Sequence, residues 1–433
     1  MARAIVAGHA LRPRWRDGPV AVEGPDEDAF TLAVAAAEAL LERPGRTARA
    51  LDAIHLVGEY PSTADWGLPE AVGAPHLVVR RHGVGPAAFG GALMAALAPS
   101  GADHASLVLV VDTSVSAEGR TSQVLSGAAA IGFELADGPG LVATGSGGRR
   151  HPAHRPPDAT AWSEAGLQRG GLPGRSARGG LQVVSRAAAP VLLAVWAKTV
   201  PGMPVGQSSS EPPDLGPAAS VPVALGLYDL ARRLKDGEHG LLATIPGEET
   251  HFIGLARTGA TQWTGAWAAD LPPGRPAPPS GGRVDVDHAV SEGAYVPRAR
   301  YLENLASRWR FVADRCSACG TLTFPARGAC RACRSSTGLE PVRLARSGTV
   351  EASTVVAPGA QPTEFDPLVE RSGAYGVVLV ALAPGLRVTL QVADRGPEVI
   401  PVGSRVTTEL RRLYPMEGEW RYGRKAVAPT AAP

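Results

Sequence analysis

Four cysteines are the residues of this sequence whose types and spacing most clearly predict chemistry. They form two Cys-x-x-Cys pairs with ten residues between them: Cys316, Cys319, Cys330 and Cys333. Each pair can present two thiolates from one tight turn, and two such turns complete a tetrahedron around zinc. Because four thiolates close the coordination shell, the pattern predicts a structural zinc ion that acts through folding energy and not a catalytic one.

Two disulfides, or four unrelated thiols, are the alternatives to zinc. The chain holds no other cysteine. Residues 1–15 lack the apolar core of a secretion signal, and no stretch of the chain has the long apolar run that a membrane-spanning helix needs. We therefore expect a cytoplasmic protein without a membrane partner, and in that compartment paired cysteines are more often metal ligands than disulfides.

The first 260 residues alternate short apolar runs with helical patterns. Strands are predicted at 4–7, 54–57, 76–79, 106–112, 181–184, 191–196, 240–245 and 252–256, and helices at 26–41, 86–97 and 218–234. Loops are predicted at 145–180 and 204–217, which are rich in glycine and proline or polar residues. Strands that alternate with helices indicate a layered α/β domain, to which we assign residues 1–270.

The remaining residues differ in pattern. A Pro/Gly-rich linker is expected at 271–298, and a short helical segment with the cysteines at 299–340. Residues 341–428 contain short apolar strands at 348–356, 376–383, 386–392 and 405–410, separated by Gly/Pro turns. Short strands without long helices predict a small β-barrel or a sandwich.

Residues 300–428 resemble the acyl-CoA-associated family that joins a short helical segment, a rubredoxin-like zinc ribbon and an OB-fold. The resemblance is carried by the two cysteine pairs, Phe324-Pro325, and the stretches 347–350, 375–380 and 401–406. It implies that the four cysteines bind zinc. It also implies a module that accompanies thiolase-like enzymes, helps to form their complex and contributes to acyl-CoA binding without performing the chemistry.

An OB-fold can also bind nucleic acid, which requires aromatic stacking platforms along a basic groove. The net charge of the whole chain is only +2. The aromatic residues Tyr414, Trp420 and Tyr422 nevertheless lie close in sequence to four arginines, Arg411, Arg412, Arg421 and Arg424. This arrangement leaves a nucleic-acid-binding OB-fold open as an alternative, although nucleic acid is not the partner that the resemblance implies.

Residues 1 to about 260 are similar to thiolase-fold domains, closest to the hydroxymethylglutaryl-CoA synthase branch. The resemblance is carried by the stretches 57–59, 88–91 and 127–131, and by the late helix and strand at 218–242. The whole chain is then predicted to be of the α/β class, with a layered αβαβα thiolase-like domain followed by a zinc ribbon and a β-barrel OB-fold.

The resemblance also implies that the thiolase-like domain is degenerate. It aligns the family's cysteine nucleophile with Ala88, its histidine with Thr199 and the asparagine of its Gly-Asn turn with Pro217. A thiolate at the start of a helix is what accepts the acyl group in that chemistry, and alanine supplies none. Of the charged machinery only Glu59 remains, as a weak candidate for acid/base catalysis.

These observations lead to two main functions. The first is an accessory subunit of a thiolase-like acyltransferase or condensing complex, which holds a catalytic thiolase-like or ketosynthase-like partner in a hetero-oligomer and helps to bind acyl-CoA or an acyl carrier protein. The second is a cysteine-independent lyase (retro-aldolase) or acyltransferase that acts on acyl-CoA, with Glu59, Tyr60 or His251 as candidates. The expected ligands are structural zinc and a CoA thioester or carrier-bound acyl group.

Overall fold

A computed structural model of the protein shows two compact units. It describes residues 3–11, 15–17, 20–46, 50–98, 104–113, 128–150, 192–195, 227, 239–244, 249–259, 261–264, 275–276, 296–383, 385–393 and 399–428. The first unit contains Met1–Val22, Ala36–Asp65 and His76–Gly274. The second contains Glu23–Ala35, Trp66–Pro75 and Arg275–Pro433, so two N-terminal segments belong to the unit that holds the cysteines.

The described elements are numbered in chain order. The helices are α1 (Ala29–Leu41), α2 (Thr63–Val72), α3 (Pro86–Leu97), α4 (Arg298–Glu303), α5 (Leu305–Arg310) and α6 (Asp366–Ser372), the last preceded by a 3-10 turn at Thr363–Phe365. The strands are β1 (Arg3–Leu11), β2 (Trp15–Asp17), β3 (Val20–Val22), β4 (Ala50–Val57), β5 (Val78–Arg81), β6 (His104–Asp112), β7 (Ala129–Asp137), β8 (Leu141–Arg150), β9 (Leu192–Val195), β10 (His239–Thr244), β11 (Glu249–Arg257), β12 (Gln262–Thr264), β13 (Arg275–Pro276), β14 (Val312–Cys316), β15 (Leu322–Thr323), β16 (Leu339–Arg343), β17 (Ser347–Val356), β18 (Tyr375–Ala383), β19 (Leu386–Gln391), β20 (Arg405–Met416) and β21 (Glu419–Val427).

One large sheet organises the first unit. Its strand order is β5-β4-β6-β7-β1-β8-β11-β10-β9, and β12 pairs with β1. Strands β4, β5 and β6 are mutually parallel, and β4 and β6 are largely apolar because they are buried. Helix α3 packs Phe89 and Leu93 into the same core as Val108, Ile131 and Phe133 of the sheet. The predicted layered α/β class is confirmed.

Several N-terminal elements lie where the sequence predicts them, with different ends. Helix α1 begins at Ala29 and not at residue 26, because Asp28 caps it: the Thr31 N–H donates to Asp28 Oδ1 and the Asp28 N–H donates to Thr31 Oγ1, each at 2.9 Å. The acidic residues 26–28 therefore precede the helix. Strand β5 begins at Val78, two residues later than predicted.

The loop predicted at 145–180 is wrong at its start. Residues 145–150 belong to β8 and pair with β11, with Gly145 opposite Gly254 and Arg150 opposite Glu249. Backbone pairing with a strand about a hundred residues away holds this glycine-rich stretch extended, and no local pattern reveals such a partner. The predicted helix at 218–234 and strand at 181–184 lie outside the described residues, except that Leu227 is helical.

The second unit contains two small sheets. The ribbon sheet has the order β15-β14-β16, and the five-stranded sheet has the order β19-β18-β17-β20-β21. A parallel bridge between Val392 and Ala426 brings the chain after β19 to β21, so that this sheet nearly closes into a barrel. Alternate residues of β18 face a core that includes Val378 and Val380. The predicted zinc ribbon and OB-fold are confirmed.

The short helical segment that the sequence predicts before the ribbon is present, and it is bent. It breaks at Asn304 into α4 and α5, and Phe311 ends it in the left-handed region with φ of 53°. Trp309 and Tyr301 lie buried on its inner side, and the Trp309 indole N–H donates to the Tyr422 carbonyl at 3.0 Å. Among the described helices, none is long and apolar enough to cross a membrane.

Candidate functional sites

The two cysteine pairs lie on turns of the same geometry. The Gly320 N–H donates to the Cys316 carbonyl at 2.8 Å, and the Arg334 N–H donates to the Cys330 carbonyl at 3.1 Å. Both closing residues have a left-handed backbone, with φ of 72° at Gly320 and 65° at Arg334. Glycine adopts this conformation freely, whereas arginine is strained there. The second turn therefore keeps the geometry of the first at some cost in backbone energy.

The four thiols converge as zinc ligands should. All four Sγ atoms lie within 4.8 Å of one another. The Cys316 and Cys333 sulfurs are 3.6 Å apart, and those of Cys319 and Cys330 are 3.5 Å apart. Zinc–sulfur bonds of about 2.3 Å in a tetrahedron put sulfur atoms about 3.8 Å apart, whereas a disulfide bond is about 2.05 Å long. The donor set and its spacing fit a structural zinc ion.

The carboxyl ends of the parallel strands β4, β5 and β6 lie at one edge of the sheet, and the candidates Glu59 and Tyr60 follow β4 there. Gly58 and Glu59 follow β4, and the Gly58 N–H donates to the Gly83 carbonyl beyond β5 at 2.8 Å. Gly58 has φ of 131°, and a Cβ there would collide with the Val111 carbonyl oxygen. Only glycine fits this turn. Glu59 lies directly after it with an exposed side chain, and its catalytic role stays a prediction.

Ala88 lies in the first turn of α3, half-buried against the core of the first unit. The amino end of a helix carries partial positive charge and stabilises a thiolate, so this is a position where a nucleophilic cysteine would be activated. The alanine methyl group offers no such chemistry. The other two positions predicted to be degenerate, Thr199 and Pro217, lie outside the described residues.

Tyr60 is buried, and its hydroxyl donates to the Leu109 carbonyl at 3.1 Å. Burial first, and then the nearby Asp112 carboxylate, raise the pKa of the Tyr60 phenol well above its ordinary value. The phenol therefore stays protonated, and its hydroxyl remains hydrogen-bonded to a backbone carbonyl. This suits a structural role and not that of a catalytic base. His251, the third candidate, lies within β11 opposite Thr244 of β10.

A histidine pair that the sequence did not reveal lies beside this edge. His55 Nδ1 and His82 Nε2 are 3.0 Å apart, and the two rings stack with centroids 5.2 Å apart. His55 is buried within β4, whereas His82 is partly exposed after β5. The register of two parallel strands brings them together, with His55 opposite Arg80. The only signal in the sequence is a histidine in or after each strand, which predicts no contact.

Acid is expected to destabilise the protein through His55. Burial first, then His82 and Arg80, lower the pKa of His55 to about 4, with Arg3 adding and Asp52 opposing. The pKa of His55 in the folded protein lies below the unfolded value of 6.5. The neutral ring therefore contributes its full share to the unfolding free energy above pH 6.5, and this contribution is lost as the pH falls towards 4. Between pH 7 and pH 5 the loss should be about 2 kcal/mol, measured by urea unfolding.

The matched controls isolate this titration from acid release of zinc. His55→Asn should reduce the difference in unfolding free energy between pH 7 and pH 5 relative to the unsubstituted protein, while the exposed His76→Asn leaves it unchanged. Zinc loss affects all three proteins equally and cancels in the comparison. An unaltered pH dependence in His55→Asn would show that this histidine is not the source.

The arginines that the nucleic-acid alternative requires are not free on the surface. Arg411, Arg421 and Arg424 are buried. Arg424 donates to the Trp309 carbonyl at 2.5 Å, and Arg421 pairs with Glu417 and Glu419. The Arg412 guanidinium carbon lies over the Trp420 ring, 4.7 Å from its centroid. The cation and the ring therefore already contact each other, and neither is presented to a nucleic acid. A groove for nucleic acid needs exposed cations and rings, so this arrangement argues against that alternative.

The chain thus combines a layered α/β domain with a zinc ribbon and an OB-type barrel that follow it in sequence. The sequence model of a protein family, the ChsH2 rubredoxin-like zinc ribbon domain, matches residues 305–340. The chain belongs to the DUF35 domain-containing family. It is 32% identical over 114 residues to a DUF35 domain-containing scaffold protein of Methanocaldococcus jannaschii, covering 26% of this chain and 77% of that protein. A second such protein, from Methanothermobacter thermautotrophicus, is 29% identical over 120 residues, covering 28% and 85%.

Solved structures are also similar to this chain. An Ltp2-ChsH2(DUF35) aldolase is 26% identical with a TM-score of 0.25, covering 32% of this chain and 100% of that one. The HMG synthase of the curacin pathway, in complex with an acetyl donor carrier protein, is 12% identical with a TM-score of 0.40, covering 60% and 81%. PksG, an HMG-CoA synthase of Bacillus subtilis, is 11% identical with a TM-score of 0.40, covering 59% and 80%.

Proposed function

We propose that the protein is an accessory subunit of a thiolase-like acyltransferase or condensing complex. One observation carries the proposal: all four cysteines of the chain converge in one zinc site, so Ala88 stands at the helix start with no thiol to replace it. The DUF35 relatives are scaffold proteins by name, which supports a holding role. The chain then supplies structure to a catalytic partner and not the nucleophile.

The ligands of the complex follow from the same resemblance. A thiolase-like or ketosynthase-like partner would carry the reactive cysteine, and acyl-CoA or an acyl carrier protein would deliver the acyl group to it. Zinc in this scheme holds the ribbon and takes no part in the reaction. A cytoplasmic location remains the expectation, since thiols stay reduced and available to zinc there.

Strand β5 offers a surface for such a partner. It lies at the end of the large sheet and pairs only with β4 among the described strands. Val78 at its start and Val84 just beyond its end are 57% and 47% exposed, and they are two of the four large hydrophobic side chains that the described residues expose. A sheet edge with free backbone groups and apolar side chains can accept a strand from another chain.

The first test is co-purification with a thiolase-like protein encoded beside this chain. A stable complex is expected, and activity should require the partner's cysteine. Val78→Glu should weaken the complex at least tenfold, because a charge at a buried strand-pairing surface must be desolvated. Val402→Glu is the matched control, since Val402 is 66% exposed in the other unit. Equal affinities of the two variants would exclude the β5 edge, and failure to bind any thiolase-like protein would contradict the proposal.

The second candidate is a cysteine-independent lyase, favoured by the His55–His82 contact at the same edge as Glu59. A buried His55 can orient the ring of His82, as a base in such a reaction requires. Retro-aldol cleavage of a β-hydroxyacyl thioester by the purified chain alone would support this candidate. Loss of that activity in Glu59→Gln or His82→Gln would then overturn the accessory role, whereas inactivity of the isolated chain favours it.

A further inference from the structure

The β20–β21 hairpin holds a cluster of buried charges against residues 25–28 of the same unit. Lys425 Nζ lies 2.9 Å from Asp26 Oδ2, and Arg411 Nη2 lies 2.9 Å from Glu27 Oε1. The side chains of these four residues are all at most 7% exposed. Ion pairs of this kind are largely shielded from solvent and salt, unlike pairs on a protein surface.

The hairpin binds the backbone of residues 25–28, the acidic segment, as well as its side chains. The Arg412 N–H donates to the Asp26 carbonyl at 2.9 Å, and the Arg412 guanidinium donates to the Pro25 carbonyl at 3.1 Å. The Tyr422 hydroxyl donates to Asp28 Oδ2 at 2.8 Å. Each of three successive carboxylates thus has a specific partner on the hairpin, which fixes both the register and the direction of the bound segment.

An aromatic anchor follows the carboxylates. The Phe30 ring, on the first turn of α1, meets the edge of Tyr422 at 4.8 Å and lies 5.6 Å from Trp309. Trp66, from the other N-terminal segment of the unit, stacks on Trp309 at 5.5 Å. Buried aromatic anchors beside paired charges are typical of the residues that dominate the energy of protein interfaces.

We infer that this face of the hairpin, built by Arg411, Arg412, Tyr422 and Lys425, is a receptor for an acidic segment that leads into a helix with an aromatic residue. Residues 25–30 of the same chain fill it. The receptor holds that segment through these contacts and does not depend on the covalent linker. This inference is independent of the proposed function, because it concerns recognition within the chain and not the reaction.

The full chain can test the inference after a single cut. A protease site placed between Pro279 and Ser280 divides it into residues 1–279 and 280–433. The cut protein is expected to elute as one species in size-exclusion chromatography, at 0.15 M and also at 0.5 M NaCl, because buried pairs are weakly screened. Separation of the two pieces at either salt concentration would overturn the inference.

Charge reversal tests the specific pairing. Asp26→Lys and Lys425→Asp should each weaken association of the cut pieces at least about 100-fold, since each leaves buried like charges facing each other. The combination of both should recover at least tenfold of that loss, because the pair is restored with its direction exchanged. Asp65→Lys is the matched control: Asp65 forms an exposed pair with Arg81 at 2.7 Å, and its reversal should leave association unchanged.

The zinc content and circular dichroism of each uncut variant establish that it folds. If a reversal prevents folding, a peptide of residues 23–35 provides the second measurement. That peptide should compete with the cut wild-type protein and release residues 280–433, whereas the same peptide with lysine at position 26 should not. Equal competition by both peptides, or continued association of the reversed variants, would show that the carboxylates do not direct recognition.

Discussion

Replacement of Cys330 by serine is expected to release zinc and unfold the ribbon. Cys330 is buried, and its sulfur lies 3.5 Å from that of Cys319. A serine hydroxyl is a poor zinc ligand, so the coordination shell opens. Structural zinc sites contribute on the order of 10 kcal/mol to folding, and three short strands with little core cannot replace that contribution. Metal analysis should find zinc fall from one to nearly zero per chain.

The loss should also be visible in proteolysis. The ribbon carries Arg327, Arg331 and Arg334, so trypsin should cut the variant there much faster than the unsubstituted protein. Ser336→Ala is the control, because Ser336 is an exposed residue of the same ribbon that is not a ligand. A chelator should reproduce the effect of Cys330→Ser in the unsubstituted protein. Full zinc content in the variant would show that the four thiols do not form the site.

Unfolding of the ribbon should reach the barrel next to it. Leu322 and Phe324 of the ribbon pack against the core that contains Val350, Val380 and Val406 of the OB-fold. Their removal exposes apolar surface on the barrel, and each buried apolar side chain is worth about 1.5–3 kcal/mol. The zinc site thus supports the module that the proposed accessory role requires.

The barrel strands β17, β18 and β19 agree with the sequence prediction within two residues at each end, because alternation of buried and exposed residues is a local signal. Strand β21 was not predicted. Its sequence, with Arg421, Arg424 and Lys425, looks like an exposed basic surface. Arg421 pairs with Glu417 and Glu419 of the same hairpin. Arg424 and Lys425 are buried because the Trp309 carbonyl and the Asp26 carboxylate, both distant in the chain, pair with them, and no local pattern encodes such partners.

The candidate sites divide in the same way. The zinc ligands were predictable because each cysteine pair lies within four residues, and both pairs lie in the same short segment. The histidine pair depends on how β4 and β5 align, and the acidic segment at 26–28 depends on a hairpin nearly four hundred residues later. Sequence pattern therefore predicted the chemistry that is local, and missed the recognition that long-range folding creates.

Replacement of Trp309 by alanine is expected to cost the second unit about 4 kcal/mol of unfolding free energy. Trp309 is fully buried, and its ring meets those of Phe30, Trp66 and Tyr422. Alanine leaves a large cavity among these rings and removes the indole N–H that donates to the Tyr422 carbonyl. Urea unfolding followed by circular dichroism, with amide hydrogen exchange of residues 298–311, measures the loss.

Two further variants separate packing from hydrogen bonding at this position. Trp309→Phe keeps most of the ring contacts and loses the N–H, so it should cost about 1–2 kcal/mol. Trp420→Ala removes a half-buried indole that lies under Arg412, and should cost about 1 kcal/mol. Equal effects of Trp309→Ala and Trp420→Ala would mean that the aromatic cluster does not anchor residues 23–35 and 66–75 in this unit. A much larger effect of Trp309→Ala identifies it as the anchor on which those two segments depend.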